Sequence, residues 1–181
     1  VMALRTIVKL GHPLLRRHTE PVAEIDDNVR RLVEDMIETM DEAEGIGLAA
    51  PQVAESISVL VVNNGLIEDG ADPKAYINPA VYENDGADTM EEGCLSIPDV
   101  REDVARPETI KLTYLDIDGK KHDETCSGML ARVLQHEIDH LNGVLFIDRI
   151  SQVKRQLLAK RLKQIAAEGK AQWTGRGDLT D

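Results

Sequence analysis

The 181-residue chain predicts an α+β fold, with antiparallel or mixed β-sheets wrapped around a central helix and a further helix at the C-terminal end. Three observations carry that expectation. Helical periodicity appears first over residues 26–44, short β-branched segments separated by turns fill the middle, and helical periodicity returns from residue 127 onward. The length is about that of one ordinary domain, so residues 1–181 are expected to form a single one. Within it we expect a core over 2–151, a basic helix over about 151–167 and a loose tail over 168–181.

After a short segment around His12 to Arg17, Val29, Leu32, Val33, Met36, Ile37 and Met40 recur at helical spacing between Asp26 and Glu44. Asp26 or Asp27 is the expected N-cap and Gly45 the stop. ISVLVV at 57–62 reads as a buried strand, and the turn-rich residues 63–74 as a surface loop. Further strands are expected over 75–83, 97–105, 109–117 and 120–126, with Asp118-Gly119 as a hairpin turn and Pro79 marking an edge or a bulge. From Ser127, a candidate cap, to Leu141 the period is again 3.6, ended by Asn142-Gly143. The last helix, Ser151 to about Ala167, is expected to bury Val153, Leu157, Leu158, Leu162 and Ile165 on one side. No internal repeat is visible.

Composition excludes several classes. With 42% apolar and 30% charged residues, neither disorder nor a fibrous class is indicated. No apolar run approaches the roughly 20 residues that span a bilayer, and VMALRTIVKLG lacks the hydrophobic stretch of a secretory signal. A cytoplasmic protein with no membrane partner is expected, an organelle interior fitting equally if a transit peptide has been trimmed. Val1 ahead of Met2 reads as extraneous, so the natural start is expected at Met2. The net charge of -12 disfavours DNA and general nucleic-acid binding. That charge is uneven, because residues 149–170 hold seven cations against Glu168, a local +6 that leaves -18 elsewhere. The basic stretch reads either as the solvated face of a packed helix or as a docking surface for ribosomal RNA.

The sharpest chemical signal is His136-Glu137-Ile138-Asp139-His140. Residues four apart project from one helix face, so two imidazoles there can share a metal ion, with Glu137 beside them to take a proton from water. The bland alternative is a coincidental motif on a solvated helix. A catalytic ion commonly has three protein ligands, and spacing alone leaves the third open among Cys94, Cys126, other histidines and carboxylates. Cys94 is favoured by its setting in EEGCLSIP, whereas Cys126 reads as a small buried hydrophobe, and His12, His18 and His122 read as exposed. Two cysteines in a reducing compartment need not pair. GIGLAAPQV at 45–53 strips side chains from the backbone so that another chain can approach it, with the Gln52 amide beside that wall.

Three ordered stretches, Gly45-Ile46-Gly47-Leu48-Ala49-Ala50-Pro51-Gln52, Glu92-Gly93-Cys94-Leu95-Ser96 and Gln135-His136-Glu137-Ile138-Asp139-His140, together make the chain resemble the peptide deformylase family. The resemblance spans the first helix to about Ser151. It implies a metal-dependent hydrolase that removes the N-formyl group from formyl-methionine at the start of nascent polypeptides and releases formate. It implies Cys94, His136 and His140 as ligands of one divalent ion. Ferrous iron is the expected ion, with zinc, nickel or cobalt as substitutes. It also implies Glu137 as the base, and the Gln52 amide with the Leu95 backbone N–H as donors to the developing oxyanion. A flexible apolar pocket would suit the methionine thioether, and by position Ile46, Met90, Met129 and Val133 are expected to line it. The peptide backbone is expected to pair along Gly45–Gly47 and near Gly93, as an added strand. Arg132 lies near that wall with no role assigned. A zinc endopeptidase and a closed structural metal site are the rival classes.

Overall fold

Helix α1 (Asp27–Glu42) begins where the Val29 N–H donates to the Asp26 carboxylate at 3.0 Å, the cap expected from the sequence. The structure, a computed structural model, describes residues 3–173. The helix ends one step before the expected glycine. Glu44 itself takes the left-handed conformation (φ 57°), and the Gly45 N–H donates to Met40 O.

Seven strands follow: β1 (Gly47–Ala49), β2 (Val59–Val62), β3 (Lys74–Asp85), β4 (Asp88–Cys94), β5 (Ile97–Arg106), β6 (Thr109–Leu115) and β7 (Lys121–Ser127). They form a five-stranded sheet of order β1-β2-β3-β6-β7 and a separate hairpin, β4-β5. Every pairing between these strands is antiparallel. Pro79 marks a bulge, not an edge, because β3 is interior and its register to β6 slips between Ile77 and Ala80. Asn78 holds the bulge by exchanging hydrogen bonds with both the N–H and the C=O of Val22, each 2.8 Å. Gly119 (φ 81°) closes the β6-β7 turn that Asp118-Gly119 predicted.

Alternation along β2 and β3 divides the core. Val59, Val61, Ala75 and Ile77 face α1, while Leu60, Val62 and Tyr76 face α2 (Gly128–Leu141) together with Ile110, Leu112 and Cys126. A third cluster joins Ile97, Val100 and Val104 of β5 to Phe146, Ile147, Leu162 and Ile165. Helix α2 therefore sits between the large sheet and the hairpin, the central position the sequence predicted. Ser127 precedes α2 but does not cap it with its side chain, and its hydroxyl lies instead 2.9 Å from the Thr109 hydroxyl across the sheet.

The C-terminal segment departs from expectation. It is two helices, α3 (Gln152–Leu157) and α4 (Ala159–Gln172), interrupted at Leu158. The interruption breaks the 3.6 phase, so Val153 and Leu157 are 68% and 81% exposed while Leu162 and Ile165 are buried. Residues 168–172, expected to be loose, are helical because α4 docks on the N-terminal segment. A Cβ on Gly169 would lie 2.0 Å from Leu10 O, and the Lys9 N–H donates to Gln172 Oε1 at 2.7 Å. His12, expected to be exposed, is buried, its Nδ1 accepting the Leu14 N–H and its ring set edge-on to Trp173. His122 is half-buried beside Asp116, and His18 is exposed. Residues 1–2 and 174–181, including the Met2 start and the end of the expected tail, lie outside the described residues.

Candidate active site

His136 and His140 stand one turn apart on α2, with ring centroids 5.2 Å apart. Cys94 reaches them from the end of β4. There the hairpin register slips, Gly93 facing Arg101 and Cys94 facing Ile97, and Cys94 Sγ lies 3.3 Å from His140 Nε2. The thiol and one nitrogen from each imidazole all lie within 4.8 Å of one another, a grouping that could hold a metal ion.

Gln52 sits in a single 3-10 turn, Ala50–Val53, directly after β1. Its Oε1 accepts the Ala49 N–H at 2.9 Å, which orients Nε2 toward Cys94 Sγ (3.6 Å) and Ser96 Oγ (3.1 Å). Glu137 lies between β1 and the imidazoles. A Cβ on Gly47 would stand 2.7 Å from Glu137 Oε2, so any side chain there would have to push the Glu137 carboxylate from its place. Glu137 Oε1 has no hydrogen-bond partner, and burial pushes its carboxyl up to about 7. Burial opposes charge on His136, but Glu137, Cys94 and Glu92 outweigh it and raise its pKa; burial, then His136 and Arg106, lower that of His140.

These groups open onto a cleft of ≈ 570 Å³ whose lining includes Gly45, Ile46 and Gly47, Gly93 and Leu95 of the hairpin, and Met129 of α2. Val133, Arg132, Gln52, Cys94, His136 and Glu137 belong to the same lining. Met90 is the exception among the expected pocket residues: it is half-buried on β4 and outside the cleft lining. It lies two residues before Glu92, whose side chain is taken up in the contact between hairpin and α2.

That contact is a buried ionic network that sequence reasoning did not foresee. Glu92 accepts from Arg106 Nε (2.6 Å) and Nη2 (2.9 Å) and from Arg132 Nη1 (2.6 Å), and lies 2.8 Å from His136 Nδ1. Arg106 also donates to Asp139 at 2.9 Å, and Arg149 holds Asp139 from the outside. Burial alone would raise the Glu92 carboxyl, but the hydrogen bonds from His136 and Arg106 bring it down to about 2. Glu92 and Asp139 lay inside the quoted motifs without a role. Asp139 carried only the signal of a charge on a helix with a buried face, and Glu92 lies on β4, a strand not expected from the sequence.

A thiol and two imidazoles gathered on a helix and a hairpin, beside a buried carboxyl with an unpartnered oxygen and a positioned amide, define the class as a metal-dependent hydrolase. Comparison with known proteins narrows the class. Residues 4–156 match the family model for polypeptide deformylase. A peptide deformylase of Brucella suis is 45% identical over 168 residues, covering 92% of this chain and 96% of that one. Among solved structures, a peptide deformylase from Plasmodium falciparum superposes with a TM-score of 0.86 at 40% identity, over 93% of this chain and 99% of that one. One from Legionella pneumophila gives 0.83 at 38% identity, over 91% and 96%. The chain belongs to the polypeptide deformylase family. It is a metal-dependent enzyme that removes the N-formyl group from nascent polypeptides.

Proposed function

We propose that Cys94, His136 and His140 hold the catalytic ion, and that Glu137, Gln52 and Leu95 carry the reaction on formyl-methionine. The observation that supports it most directly is the cluster of one thiol and two imidazoles within 4.8 Å, with Glu137 Oε1, which has no hydrogen-bond partner, 3.9 Å from His140 Nε2. The donor set fits an ion. Cys94 Sγ and His140 Nε2, 3.3 Å apart, are closer than two bonds of about 2.0–2.3 Å laid end to end. Burial, His136 and Arg106 lower the His140 pKa and favour the neutral imidazole that a ligand needs, and the acidic groups Glu137, Cys94 and Glu92 around His136 favour a cation at the site. When bound, the ion supplies Lewis-acid polarisation of the formyl group and of the attacking water.

Glu137 then takes the water proton and returns it to the departing amine, a role suited to a carboxyl pushed toward neutrality by burial. The Gln52 Nε2 and the Leu95 N–H donate to the oxygen that gains charge. Gly45–Gly47 and Gly93 leave backbone free along the cleft for an added strand, while Ile46, Met129, Val133 and the stem of Arg132 give the methionine side chain an apolar wall. Ferrous iron is the expected ion, softened by the thiolate, with zinc, nickel or cobalt able to replace it. Residues 1–181 act as one domain in this reading, and the cytoplasm is its setting. Among the described residues no helix is long and apolar enough to cross a membrane. Lys154, Arg155 and Arg161 each face a carboxylate of the chain itself, which supports a solvated face for the basic helices over a ribosomal RNA surface.

The test is formate release from formyl-Met-Ala-Ser by protein loaded with ferrous iron without oxygen. Glu137→Gln is expected to keep its metal and lose at least about 100-fold in turnover. A Gln variant with wild-type turnover would remove Glu137 from the reaction. Cleavage inside an unformylated peptide, with no formate, would move the chain to the endopeptidases.

A further inference from the structure

The β4-β5 hairpin has no strand pairing to the five-stranded sheet, yet it carries Cys94, while His136 and His140 stand on α2. Something must set the distance between them. Arg132 lies one helical turn before His136, and its guanidinium is buried between the two elements. Nη1 donates to Glu92 Oε2 (2.6 Å) and to Val104 O (2.9 Å), and Nη2 donates to Asp88 O (2.8 Å). One side chain of α2 thus grips the first residue of β4, the residue two before Cys94, and the opposite strand β5. The same Glu92 orients His136 through Nδ1.

We infer that Arg132 is a positioning residue for the Cys94–His136–His140 triad, registering the hairpin on α2 while its alkyl stem walls the substrate cleft. The planar fork suits the task because three acceptors on two strands are met by one rigid group, which a lysine ammonium on a flexible stem does not reproduce. Arg106 makes the complementary link from β5 to Asp139 and Glu92. The two arginines together oppose both sliding and hinging of the hairpin. The proposal rests on the ligand reading given above.

The experiment uses the full chain loaded with Co2+, comparing wild type with Arg132→Met, Arg132→Lys, Cys94→Ser and Lys111→Met, the last removing only the Lys111–Glu83 surface pair. The readouts are the thiolate-to-cobalt absorption band, the rate of Co2+ loss to excess chelator, and kcat and KM for formyl-Met-Ala-Ser. Arg132→Met is expected to lose cobalt about 10- to 100-fold faster, with a weakened thiolate band and lower kcat. Its KM stays near wild type because the apolar wall is kept. Arg132→Lys should fall between, and Lys111→Met should match wild type. A folded Arg132→Met with wild-type band and loss rate overturns the proposal, even if its unfolding midpoint drops, because a merely structural arginine would act that way. Should the Met variant not fold, wild-type behaviour of Arg132→Lys overturns it equally. A thiolate band missing from wild type, or surviving in Cys94→Ser, would instead sink the ligand reading and take the Arg132 proposal with it.

Discussion

Along β2 of the five-stranded sheet, Val59, Leu60, Val61 and Val62 are all at 0% exposure and meet α1 on one face and α2 on the other through apolar contact. The β4-β5 hairpin, in contrast, meets α2 through Glu92, Arg106, Arg132 and Asp139, all buried and all charged. Apolar burial is large but non-directional, so it stabilises the sheet–helix layers without holding any one atom to a fraction of an ångström. Buried ion pairs add little net stability once desolvation is counted, but their geometry is directional. The molecule uses the first where it needs stability and the second where Cys94 must meet two imidazoles from another element.

The contrast can be broken at either end. Arg106→Met would leave Glu92 and Asp139 each short of a partner, and is expected to cost about 3–5 kcal/mol in urea unfolding. Metal retention should fall with it. A loss below about 1 kcal/mol would show that the network is no more demanding than a surface pair. Leu60→Ala, in the sheet core, is expected to cost about 2–5 kcal/mol and to leave the cobalt spectrum of the folded protein unchanged. An altered spectrum would mean that apolar packing also sets the site.

The smallest effect belongs to the docked end of α4. Burial, helped by Arg17, holds the His12 pKa below its usual value of 6.5. The unfolded chain therefore takes up the proton more readily, so this contribution to stability is full above about pH 6.5 and declines as the pH falls toward the folded pKa. Thermal midpoints should drop across that window in wild type and less in His12→Gln. Equal slopes would remove His12 from the acid response.

Local features were legible because neighbouring residues determine them. The Asp26 cap, the Pro79 irregularity, the Asp118-Gly119 turn and the pairing of His136 with His140 all follow from spacing within one element. The end of α4 was not legible, because residues 168–172 are helical through a glycine contact and a hydrogen bond to Lys9, 163 residues away. Nor was the exposure of Val153 and Leu157, since an interruption at Leu158 shifts phase without any glycine or proline to announce it.

By itself the sequence determined the α+β class, the helix that bears two histidines and a glutamate at metal-ligand spacing, and, through three ordered motifs, the resemblance that singled out Cys94 and Gln52. Tertiary structure alone decided how those parts meet. Glu92 and Arg132 are 40 residues apart in the chain, and only folding brings them to 2.6 Å, where two buried charges satisfy each other. Spacing can place ligands on one face of a helix, but the distance between a helix and a hairpin is set by the partners that buried charges find.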